Sequence, residues 1–113
     1  MPQFMLVLHG DPARFHSFSP EEMQKAIEKY FAWTKKPFMV ESRRLGWDQG
    51  KVLRQGDGKP RVTDGPFSEA KEVMGGYYTI EAADYDDAVK KALDHPQLEY
   101  GGAIEVRQVW QQP

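Results

Sequence analysis

GGYYTIEAADYDDAVKKALDHP, residues 75–96, is the stretch whose reading decides the fold. Gly75-Gly76 open onto Tyr77-Tyr78-Thr79-Ile80, a run of aromatic and β-branched residues that suits a strand. Four residues later Asp84 stands as an N-cap, with Asp86 and Asp87 in the first turn and Lys90 and Lys91 further on. That order of charge complements the helix dipole. Tyr85, Ala88, Val89, Ala92 and Leu93 recur at helical spacing and predict the face that packs on the sheet, and Pro96 ends the run.

The N-terminal part repeats this strand–helix grammar. QFMLVLH, residues 3–9, is apolar at both alternating sets of positions, as expected of a central strand covered on each side. After the turn GDPARFHSF, Ser19, Pro20 and Glu22 form a capping-box signature. Met23, Ala26, Ile27, Tyr30 and Phe31 give the helix its expected buried stripe, and Pro37 stops it. Residues 38–46 read as a second strand and AIEVRQVWQ, residues 103–111, as the last. Between the halves, glycines punctuate residues 47–76, and KVLR and PRVT flank QGDGK as a small hairpin. The order β-α-β, inserted hairpin, β-α-β predicts an α+β, ferredoxin-like sandwich in a single domain over residues 1–113. Both helices would cover one face of an antiparallel sheet. The other face, with Met5, Val7, one of Tyr77 and Tyr78, and Val109 or Trp110, lacks a cover within the chain, so a homodimer is expected.

The 113 residues carry 15 basic and 17 acidic side chains and no cysteine. A net charge of −2 offers nothing to neutralise a phosphate backbone, so general nucleic-acid binding is disfavoured. Without cysteine there is no disulfide, thiolate nucleophile or thiolate metal site. The N-terminal apolar run, Phe4 to Leu8, is too short for a leader or a membrane span, and a cytoplasmic protein is expected.

Residues 62–82, VTDGPFSEAKEVMGGYYTIEA, carry Thr63-Asp64-Gly65-Pro66-Phe67, Glu69, Lys71-Glu72 and Gly75-Gly76-Tyr77-Tyr78. Together with MLVLHGD (5–11), SPEEM (19–23) and GGAIEVRQV (101–109), the chain resembles the YCII-related family in its DGPF-domain branch. The resemblance implies a dimeric α/β barrel. It implies no settled activity, because most members have none established. In the wider group a His–Asp pair in a cleft is suspected, with the histidine on the first helix. The first long helix here, PEEMQKAIEKYFAWTKK, has no histidine, so that pair does not carry over by position. Many DGPF-type members are encoded beside extracytoplasmic-function sigma factors, which implies a regulatory link.

Asp64 in the DGPF turn is a carboxylate that a pocket could tune as acid or base. Asp-Gly-Pro is also good turn chemistry, with Gly65 supplying unusual φ and Phe67 pinning the turn to the core. His9 ends the first strand, where a histidine can move protons, although a strand-end histidine is more often simply hydrogen-bonded to a neighbour. His16 and His95 read as capping or surface groups. Arg43, Arg44, Arg54 and Arg61 suit an anionic ligand or a solvated edge. Tyr77 and Tyr78 alternate, so one faces each side of the sheet. No HxH or HxxxH pattern is present, Asp84, Asp86 and Asp87 lack calcium-loop spacing, and Gly56-Asp57-Gly58-Lys59 is a hairpin turn rather than a phosphate loop. The expected site therefore uses His9 and Asp64 as catalytic candidates, with Arg61, Phe67, Tyr77 and Tyr78 around a small molecule and no metal or cofactor. The alternative is a regulatory protein-interaction module.

Overall fold

A computed structural model describes residues 1–46, 48–65 and 72–112. The chain runs β1 (Gln3–Gly10), α1 (Pro12–His16), α2 (Pro20–Trp33), β2 (Met39–Arg44), β3 (Lys51–Gly56), β4 (Lys59–Asp64), β5 (Val73–Glu81), α3 (Tyr85–Ala92), α4 (Pro96–Glu99) and β6 (Ala103–Gln108). β2, β5, β1 and β6 form one antiparallel sheet in that order, while β3 and β4 pair only with each other. Setting the β3–β4 hairpin aside, this is the α+β ferredoxin-like arrangement. β1 is a central strand, as its two apolar faces require: Leu6 lies opposite both Tyr78 on β5 and Val106 on β6.

Phe4, Leu6 and Leu8 from β1 meet Tyr78 and Ile80 from β5, and Trp33, Ala88 and Ala92 from the helices, in one buried cluster. Helices therefore cover a single face. Met5, Val7 and Tyr77 alternate onto the other face and are half-buried. α2 starts as its sequence demands, for Ser19 Oγ accepts from Glu22 N at 3.1 Å and Glu22 Oε1 accepts from Ser19 N at 3.1 Å. The Ser19 backbone N–H, and after it the Ser19 hydroxyl, hold the Glu22 carboxyl below its ordinary pKa. Ser19→Ala is expected to cost about 1 kcal/mol in chemical denaturation; a change under ~0.3 kcal/mol would mean that the box is ornamental.

The buried stripes are narrower than the apolar periodicity. On α2 the buried positions are Ala26 and Trp33, whereas Ile27 is 38% and Phe31 61% exposed. On α3 they are Ala88 and Ala92, with Tyr85, Val89 and Leu93 exposed. Small residues let each helix lie close to the sheet, and Trp33 fills the remaining space.

His95 departs most from expectation. It does cap α4, its Nδ1 accepting from Gln97 N at 3.0 Å, but it lies in the core at 1% exposure rather than at the surface. The GDPARFHSF turn also contains a short helix, capped by Asp11, whose Oδ1 accepts from Ala13 N at 3.0 Å.

Gly65 serves for a reason different from the one its turn context suggests. It is not among the glycines with positive φ. A Cβ there would stand 2.0 Å from Gln49 O, so glycine is required by the close approach of two backbones at the hairpin root, where Gly65 N donates to Gly50 O at 3.0 Å. Pro66 and Phe67 lie outside the described residues.

Candidate functional site

Between α2 and the β2–β5 side of the sheet lies a cavity of about 260 Å³. Met23, Ala26, Ile27, Tyr30 and Phe31 form its helical wall, and Leu8, Ser42, Arg44, Gly76 and Tyr78 its sheet wall. The apolar α2 residues that are absent from the core are thus accounted for, because they line a cavity. Ile27, Phe31, Leu45 and Met74, all between 38% and 61% exposed, stand among its lining residues as partly open apolar groups. Gly76 admits the close strand approach here, since a Cβ would lie 2.7 Å from Arg43 O.

The inner end is polar and fully bonded. Tyr30 Oη donates to Gln97 Oε1 at 2.6 Å, and Gln97 Nε2 donates to His9 O at 2.7 Å. Tyr78 Oη donates to Tyr30 O at 3.2 Å. Burial raises both phenols: Tyr78 to about 12 and Tyr30 well above its ordinary value, with the Arg44 guanidinium pulling each partly back. Both are therefore neutral hydrogen-bond donors at pH 7 rather than bases. Behind them His95 packs against Tyr78, Trp33 and Tyr30, with ring centroids 4.5, 4.7 and 5.6 Å away. Burial lowers its pKa to about 4. The arrangement presents an apolar enclosure, two neutral phenols whose hydrogens are already given to Gln97 Oε1 and Tyr30 O, and the Arg44 side chain at its sheet wall.

The residues singled out from sequence are dispersed. Tyr78 lies on the cavity wall. Tyr77 faces the opposite side of the sheet, its Oη donating to Glu41 Oε1 at 3.2 Å. His9 ends β1 with Nε2 3.1 Å from Glu105 Oε1, and that contact is the main cause holding the Glu105 carboxyl below its ordinary range. The His9 backbone carbonyl, not the ring, is what the cavity network uses. Asp64 pairs with Lys51 across the hairpin root, and Arg61 pairs with Asp57 at 2.7 Å. Phe67 lies outside the described residues. Of the arginine group, Arg43 and Arg44 both border the cavity, Arg43 as the cross-strand partner of the outward-facing Tyr77. Gln97, which ties Tyr30 to β1, follows a proline after a helix and carries no sequence signal of that role.

Fold and cavity together define a small α+β domain with a largely apolar cavity between α2 and the sheet. The YCII-related domain model matches residues 3–112, and the chain belongs to that family. It is also similar to an uncharacterized protein, R00369, of Rhizobium meliloti (strain 1021), with 30% identity over 112 residues covering 92% of this chain and 89% of the relative. Among the described residues no helix is long and apolar enough to cross a membrane.

Proposed function

We propose that this chain is a homodimeric small-molecule-binding domain, of the DGPF branch by its Asp64–Phe67 motif. Its ligand has an apolar body held by α2 and a polar or anionic end towards Arg44 and Ser42. The observation that carries this reading is the half-open ring of Ile27, Phe31, Leu45 and Met74 around an enclosure whose polar groups are already satisfied by one another. Such a space gains most by burying apolar surface. The half-buried sheet face of Met5, Val7 and Tyr77, which no helix covers, supports the dimer, since packing two such faces together would complete a dimeric α/β barrel. No reaction is assigned.

The test is calorimetric titration with naphthalene-2-carboxylate, octanoate and octanol. At least one is expected to bind with a Kd below about 1 mM. Ile27→Asp is expected to weaken that binding at least tenfold, since the exposed position tolerates the change while the cavity does not. Absence of binding by all three, or equal binding by the variant, would overturn the reading. The second reading is a regulatory protein partner, with the sigma-factor link as one form of it, and the 61% exposure of Phe31 favours it. In that case Phe31→Asp would abolish partner capture, and none of the three small probes would bind the wild type.

A further inference from the structure

Among the described residues the β3–β4 hairpin is a two-stranded ladder that joins no other strand. An isolated hairpin is marginal in water unless something covers it. Its register sorts its side chains onto two faces. Leu53 lies opposite Val62, and Gln55 opposite Pro60, on one face. Arg54 lies opposite Arg61, and Gly56 opposite Lys59, on the other. Leu53 is 67% and Val62 63% exposed, although they form an apolar cross-strand pair of the kind that ordinarily sits under another layer. The opposite face is basic, carrying Arg54, Lys59 and Arg61. Asp57 bonds Arg61.

Charge and shape both point to what covers this arm. Residues 51–64 hold Lys51, Arg54, Lys59 and Arg61 against Asp57 and Asp64, a balance of +2. Since the whole chain is −2, the remaining residues carry −4. The arm is thus complementary to the body of another copy of the same chain. The radius of gyration is 16.0 Å, and the molecule spans 48 × 47 × 18 Å. A compact chain of this length would have a radius of about 13 Å. The chain is a flat body with a projecting arm, a shape suited to embracing a second copy.

We propose that the β3–β4 hairpin is a dimerisation arm whose Leu53–Pro60–Val62 face is buried against a second copy of this chain, with its basic face set among the partner's carboxylates. The inference rests on the self-association proposed above but assigns it a separate surface. By two-fold symmetry both arms engage, so each substitution acts twice.

The experiment compares sedimentation equilibrium of the wild type, the double variant Leu53→Asp/Val62→Asp, and Val7→Arg on the open sheet face. The wild type is expected to dimerise, with a Kd that rises with salt, and the arm variant to raise that Kd at least about a hundredfold. An arm variant whose Kd matches the wild type, while Val7→Arg dissociates the dimer, would overturn the arm and leave the sheet-face dimer standing. A wild type monomeric at all concentrations would overturn both. A second measurement uses the cysteine-free background. Leu53→Cys carrying an environment-sensitive fluorophore is expected to shift to the blue as concentration carries the protein through its dimer transition; emission independent of concentration would refute the cover.

Discussion

Trp33→Ala is expected to remove about 3–5 kcal/mol of stability in urea denaturation, a large share of what a domain of this size possesses. Trp33 is 4% exposed, packs edge-on to Tyr78 with centroids 5.4 Å apart and to Phe38 at 5.6 Å, and bounds the His95 ring. Its Nε1 donates to Asp94 Oδ1 at 2.9 Å, and Asp94 Oδ2 also accepts from Lys36 Nζ at 2.7 Å. Those bonds, that of Lys36 foremost, lower the Asp94 pKa. Truncation leaves a void that small neighbours such as Ala88 and Ala92 cannot fill. Phe31→Ala, an aromatic truncation two residues away in sequence, should cost under about 1 kcal/mol because its ring is mostly exposed. A Trp33 variant as stable as that control would refute this account of the core.

Acidification should produce the second large effect. His95 titrates near 6.5 when unfolded, and burial lowers this to about 4 in the folded protein. Its depressed folded value means that the unfolded chain takes up the proton first. Stability contributed by neutral His95 is complete above about pH 6.5, falls as pH drops, and is lost by about pH 4. The gap corresponds to about 3 kcal/mol. The cause is structural: Nδ1 is occupied by Gln97 N, and Nε2 is buried without a hydrogen-bond partner among the described residues, so an imidazolium would have no acceptor for its charge. Denaturation free energies for wild type and His95→Gln at pH 7.5 and pH 4.5 check this. The variant loses the histidine's contribution at both values, so the difference between the two proteins should shrink by about 2–3 kcal/mol in acid. A pH-independent difference would mean that His95 does not titrate across this range.

His95 also shows where sequence reading reaches its limit. A histidine before Pro96 announces a cap, and it is one; that its ring also closes the core depends on Trp33, Tyr30 and Tyr78 arriving from distant segments. Other elements were legible because their causes are local. Ser19, Pro20 and Glu22 place the start of α2 through bonds three residues apart, and Asp84 does the same for α3. The central place of β1 followed from apolar residues on both of its faces. The α2 stripe was misread for a physical reason. Period 3.6 reports which residues avoid water, and it is the same whether they meet a sheet or an enclosed space. Met23, Ile27 and Phe31 belong to the space. Alternation established that Tyr77 and Tyr78 part company, but the helix-covered side could be assigned to Tyr78 only from the packed sheet. The site was least legible because Tyr30, Arg44 and Gln97 converge from separate elements and form no motif.

The hairpin leaves the sheet after β2 and rejoins it at β5. Leu45 and Gly46 stand at its departure and Val73 and Met74 at its return, and all four line the cavity. The residues next to the sheet at both ends of this excursion therefore border the cavity. If a guest binds there and two copies pair through the arm, as proposed above, any effect of the guest on pairing must be matched by an equal effect of pairing on the guest's affinity.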